Sequence, residues 1–135
     1  MVPARLSMRS RLRSHSWKNK FGHALRGLQR AFRTQHSFAI HTFSACVAVA
    51  AAAVFSVTII EWGLIVAAIG MVLVAETFNT AIESLARAVD TQFHPRLRDA
   101  LDIASAAVLL ASGTAVTIGL CIFVPVLYRL FCSVL

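Results

Sequence analysis

The stretch WGLIVAAIGMVLVAETFNTAIE, residues 62–83, stays apolar for thirteen positions and then places two glutamates and an asparagine within eight. Continued through the polar insert to Leu85, it reaches the roughly 20 residues that cross a hydrocarbon core of about 30 Å. Two further apolar stretches flank it, from Phe38 to Ile60 and from Ile103 to about Leu127. Hydrophobic residues make up 58% of the 135, and the mean hydropathy is +0.72. A soluble chain of this size cannot hide so much apolar side chain. The sequence therefore predicts an all-α integral membrane protein with spans at about 38–60, 62–85 and 102–127.

Charge sets the expected orientation. Nine of the thirteen Lys and Arg precede the first span, and no acidic residue does. Arg87, Arg96 and Arg98 lie between spans two and three, and Arg129 stands alone at the far end. Basic residues collect on the cytoplasmic side of membrane proteins, which puts the N-terminus and the 87–99 loop inside and the C-terminus outside. Glu61, between spans one and two, then marks the outer surface. A net charge of +7 next to a span suits anionic headgroups rather than nucleic acid.

The first apolar run begins too far along for a secretory signal and is too long for one. Residues 1–15 are expected to be a disordered basic tail, although their Arg- and Ser-rich, acid-free composition also suits a presequence. From Trp17 onward, Trp17, Phe21, Leu25, Leu28 and Phe32 form one helical stripe, with cations mainly on the other faces. A surface helix over about 17–36 is expected, lying in the headgroup plane. Residues 16–135 then form one membrane domain. Cys46, Cys121 and Cys132 show neither a disulfide framework nor metal-ligand spacing.

The polar insert raises the question of function. In a helix, Glu76, Asn79 and Glu83 project from one face. Glu76 follows Glu61 by fifteen residues, a rise of ~22 Å, which puts it near the cytoplasmic edge of the core. Glu83 is ~10 Å further, in the inner headgroup region. Asp102 and Ser105, at the start of span three, are expected at the same depth. Carboxylates there face protein or water rather than lipid. Three of them with an amide suit Mg²⁺, an oxygen-binding cation that shares its shell with nucleotide phosphates. Taken singly, Glu83 also reads as an interfacial charge, Asp102 as a helix N-terminal charge, and His41 as a hydrogen-bonded residue near the start of span one. The shared depth of Glu76, Glu83 and Asp102 is what favours a site.

The motif E-x-x-N-[ST]-A-[IL]-E, met by Glu76, Asn79, Thr80, Ala81, Ile82 and Glu83, resembles that of the prokaryotic diacylglycerol kinase family, which includes undecaprenol kinases. His94-Pro95, then Asp102 and ASAAV at 104–108, extend the likeness, as does GLQRAFRTQHSFAIH at 27–41. It covers roughly Trp17 to Phe123. The resemblance implies a bacterial inner-membrane homotrimer with sites between subunits, which transfers the γ-phosphoryl of Mg-ATP to a lipid hydroxyl. By the same resemblance Glu76 is the general base, Asn79 orients the reacting groups and Glu83 binds Mg²⁺. Arg87, His94 and Asp102 join Glu83 on the ATP side, and Ala75, Glu76 and Ser105 meet the lipid. Three positions depart from the family pattern. Gln35 stands where a second metal-binding Glu is usual, Leu101 where a Lys precedes the span-three Asp, and Arg87 where an Asp follows the motif. Gln35 is then at best a weak metal ligand, and Arg87 supplies replacement positive charge. Diacylglycerol is the expected acceptor. Undecaprenol, or a degenerate non-enzymatic member, is the alternative.

Overall fold

The computed structural model describes residues 17–89 and 94–134, and every element among them is an α-helix. The order is α1 (Trp17–Thr34), α2 (His36–Val54), α3 (Ile59–Val89) and α4 (Pro95–Val134). The expected basic tail lies outside the described residues. Residues up to Thr34 form one unit and those from Gln35 onward a second.

Taken by itself, α1 carries the expected stripe in the open, with Trp17 73% and Phe21 66% exposed. Its polar residues tie to their own helix. Lys20 Nζ stands 5.1 Å from the Trp17 ring centroid, and Arg26 Nε donates to the Gly22 carbonyl at 3.2 Å. The helix stops at Thr34, slightly before the expected 36, because Gln35 is extended (φ −116°, ψ 121°).

The apolar run 38–60 is not one helix. The α2 helix ends at Val54, and Ser56 takes the left-handed φ of 51°. The Val57 amide then reaches back to the Ala52 carbonyl at 3.3 Å, as in a Schellman ending. Apolar composition hid this turn, since Phe55, Val57, Ile59 and Ile60 continue the hydropathy on both sides of it. Thr58 and Glu61 open α3 with a reciprocal capping box: the Thr58 amide donates to Glu61 Oε2 at 2.7 Å, and the Glu61 amide to Thr58 Oγ1 at 3.4 Å. Glu61 therefore belongs to the first turn of α3, not to the connection. Thr58→Ala is expected to lower stability by about 1 kcal/mol. Unfolding in mixed micelles checks this, and an unchanged midpoint would remove the cap as a contributor.

At the other end the expected 87–99 loop contracts, because α3 runs on to Val89 and α4 begins at Pro95. Proline suits a first helical position, where no amide hydrogen is needed. The His94 carbonyl takes up the amides of Leu97 and Arg98 at 3.0 and 3.1 Å. At 1.5 Å per residue, α3 and α4 are about 46 and 60 Å long, so both exceed a bilayer core. Together with α2 they are the three helices long and apolar enough to cross a membrane.

The central helix is α3, which packs along both α2 and α4. Ala52, Val57, Ile65 and Ile122 form a core near the α2–α3 turn. Phe55 and Phe123 close it with ring centroids 6.2 Å apart. Elsewhere large apolar side chains face outward; Leu109 and Leu110 are each 73% exposed. A single copy of this chain in water would leave that surface wet, at about 25 cal/mol per Å². Lipid or further copies must cover it.

Candidate active site

The inward face of α3 begins apolar and ends polar. Ile65, Ala68, Val72, Glu76 and Asn79 are all buried, at spacings of three and four, and Glu83 continues the line. Glu76 is 2% exposed, one of the two largest fully buried side chains among the described residues. A carboxylate buried to that degree requires a donor, and α2 provides it: Ser37 Oγ donates to Glu76 Oε1.

Two turns further on, Glu83 is half-buried and collects three neighbours. Asn79 Nδ2 donates to Oε1 at 2.9 Å, and Gln35 Nε2 donates to Oε2 at 2.7 Å. Arg87 Nη1 lies 3.8 Å from Oε2, the expected pairing four residues along the same face. A carboxylate only accepts, so the Asn79 amide nitrogen must face Glu83 and its Oδ1 must face away. That oxygen and Thr80 Oγ1 are buried without a hydrogen-bond partner. Buried polar atoms are normally paired, so these two oxygens, beside Glu76 and Glu83 in the sequence, are exceptions.

The remaining expected residues are not drawn into this group. The Asp102 side chain is 73% exposed and pairs with Arg98 at 3.8 Å. Ser105 Oγ donates to its own helix at Leu101, 3.0 Å away. His94 is exposed at the start of α4, and Ala75 is half-buried against the α4 side, beside a shallow hollow reaching Ala107 and Ala111. Among the described residues no three His, Cys, Asp or Glu side chains converge. The expected trio of Glu76, Glu83 and Asp102 is thus not assembled within one chain. The reason is helical phase. The inward line on α4 is Leu101, Ala104, Val108 and Ala111, and Asp102, one residue on from Leu101, is turned ~100° away from it.

A cavity of about 380 Å³ lies between all three long helices, lined by Ile40, His41 and Ser44 of α2, Val72 and Leu73 of α3, and Ser112 of α4 among others. His41 therefore lines an apolar hollow, away from the carboxylates.

The oxygen donors present suit Mg²⁺. The Glu83 carboxylate and the unpartnered Asn79 Oδ1 are hard ligands, and Mg²⁺ is commonly held by one or two carboxylates together with substrate phosphates and water. Gln35 stands beside Glu83, as a ligand at that position must, but it holds the carboxylate through its nitrogen.

A family model described as prokaryotic diacylglycerol kinase matches residues 22–123. The chain belongs to that family. An undecaprenol kinase of Bacillus subtilis is 36% identical over 105 residues, covering 78% of this chain and 85% of the relative. A diacylglycerol kinase of Synechocystis is 33% identical over 126 residues, covering 88% and 72%. A diacylglycerol kinase of Haemophilus influenzae is 29% identical over 93 residues, covering 69% and 79%. The matched region of the diacylglycerol kinase family contains α2, α3 and the polar group entire. Sequence reading missed Ser37. It sits inside the quoted stretch at 27–41, but a lone serine at the start of an apolar span carries no signal until α2 is laid against α3.

Proposed function

We propose that this chain is an ATP-dependent lipid kinase that phosphorylates the hydroxyl of diacylglycerol, giving phosphatidic acid. The observation that carries the reading is Glu76, a carboxylate buried on the same face as Asn79 and Glu83 of a helix long and apolar enough to cross a membrane, within a chain whose family is named for such kinases.

In this reading Glu76 Oε2 takes the hydroxyl proton, while Oε1 stays engaged by Ser37. The lipid oxygen bonds to the γ-phosphorus, the bond from that phosphorus to the β-bridging oxygen breaks, and ADP leaves. Asn79 Oδ1 orients the reacting groups. Glu83 and Asn79, with Gln35 beside them, would hold Mg²⁺, which when bound would supply charge neutralisation at the phosphates. Such transfer depends mainly on positioning and charge compensation. Arg87, His94 and Asp102 meet ATP, and Ala75 and Ser105 meet lipid. Because Asp102 and His94 stand apart from Glu76 and Glu83 in one chain, and large apolar surfaces remain uncovered, we assign a homotrimer with sites completed between subunits. The apolar stripe of α1 lies in the headgroup plane.

Undecaprenol as acceptor is the second reading, favoured by the 36% identity to an undecaprenol kinase. Purified protein in micelles with labelled ATP, Mg²⁺ and each lipid in turn separates the two. Label in diacylglycerol supports the first, label in undecaprenol the second, and label in neither makes the chain a non-catalytic family member.

The site requires a cytoplasmic 90–94 connection in a bacterial inner membrane. In a background lacking Cys46, Cys121 and Cys132, Arg96→Cys should be shielded from an impermeant thiol reagent in intact cells, while Arg129→Cys should react. Removing Arg129 only strengthens the inward bias of the remaining cations. Labelling at position 96 with protection at 129 would invert the chain and end the kinase reading.

A further inference from the structure

We propose that Ser37 is a positioning residue for Glu76, fixing the orientation in which that carboxylate meets a lipid hydroxyl. The inference rests on the kinase reading and adds to it a residue that lies outside the motif. Three observations carry it. Ser37 and Glu76 are on different helices, α2 and α3, and the hydroxyl of one donates to Oε1 of the other. Glu76 is 2% exposed, so water does not replace a lost donor cheaply. Two residues before Ser37, Gln35 makes the parallel bond to Glu83 at 2.7 Å. The N-cap and first turn of α2 thus grip both carboxylates of the α3 face, seven residues apart, through two neutral donors.

The chemistry follows from what a hydroxyl donor does to a carboxylate. With Oε1 engaged, the side chain cannot swing freely about its last torsion, and Oε2 is the oxygen left to accept a proton. A neutral donor achieves this without neutralising the base, whereas a Lys or Arg at the same place would hold the carboxylate in an ion pair and weaken it as a base. A misplacement of about 1 Å at a reacting group can cost 10²-fold in rate. The bond from Ser37 is therefore expected to act on turnover and not on substrate affinity.

The test is a kinetic cycle in detergent micelles, with diacylglycerol and undecaprenol run as separate acceptors. Ser37→Ala should lower kcat about 10- to 100-fold, the equivalent of one hydrogen bond to a charged group, with KM for lipid and for Mg-ATP within twofold of wild type. Ser37→Thr, which keeps the hydroxyl, should recover most of the loss. In a Glu76→Gln background, Ser37→Ala should change residual turnover by less than twofold, because the group it positions is gone. Thermal unfolding of each variant separates a folding defect from a positioning one. If Ser37→Ala folds and turns over as wild type while Glu76→Gln is inactive, the positioning role is overturned and the base assignment stands. The same holds if Ser37→Thr behaves as Ser37→Ala, or if the two substitutions multiply. If Glu76→Gln itself remains active, the base assignment falls, and this inference falls with it.

Discussion

Glu76→Gln should lower phosphoryl transfer by about 10²- to 10⁴-fold, the usual loss on removing a general base. ATP binding and assembly should be nearly unchanged. The expectation of a clean variant comes from the geometry. Glutamine has the volume of glutamate, and its amide oxygen can accept the Ser37 hydrogen bond that Oε1 accepts now. The only capability removed is proton acceptance, in a side chain that is 2% exposed. Glu76→Asp sharpens the point. It keeps the carboxylate but withdraws it by one methylene from both Ser37 and the hydroxyl, so turnover should also fall, by up to about 10²-fold. The measurement is initial rate at saturating lipid and Mg-ATP. A Glu76→Gln enzyme that retains more than half of wild-type turnover would remove this residue from the role of base.

How much of this could be read without the structure differs from residue to residue. The three long helices and the α3 carboxylate face were legible, because apolar length and a spacing of three and four fix both. The Asn79–Glu83 and Glu83–Arg87 contacts follow from the same periodicity. The break after α2 was not legible, since it depends on a left-handed Ser56 inside an apolar run and on the Thr58–Glu61 cap. Asp102 shows a different limit. Depth along the membrane is set by residue count, but direction is set by helical phase relative to a neighbour, which one chain's count does not give. Reading equal depth as one site therefore grouped Asp102 with Glu76, and the structure separates them within a single copy. Ser37 and Gln35 reach the carboxylates across the α2–α3 contact, and such long-range pairs have no local signature.

Glu83→Gln is expected to act on metal dependence, and to do so strongly. Glu83 is the only carboxylate among the described residues hydrogen-bonded to Asn79 and Gln35, so in the proposed site the charge compensation for a bound Mg²⁺ would fall mainly on it. Replacing it with an amide leaves oxygen ligands but no negative charge, and the Mg²⁺ concentration for half-maximal activity should rise by at least about tenfold. Part of the turnover should return at high Mg²⁺, which distinguishes this variant from Glu76→Gln, where no metal concentration restores a proton acceptor. The opposite change provides a check at the same place. Gln35→Glu sets a second carboxylate 2.7 Å from Glu83 Oε2, judged by the present amide nitrogen. Two carboxylates that close repel each other unless a cation lies between them. The variant should therefore need less Mg²⁺ than wild type for half-maximal turnover, and Mg²⁺ should raise its thermal stability more than it raises that of wild type. Mg²⁺ titrations of Glu83→Gln and Gln35→Glu that both superimpose on wild type would show that Glu83 serves the helix contact alone, as the acceptor for Asn79 and Gln35, with the metal held elsewhere.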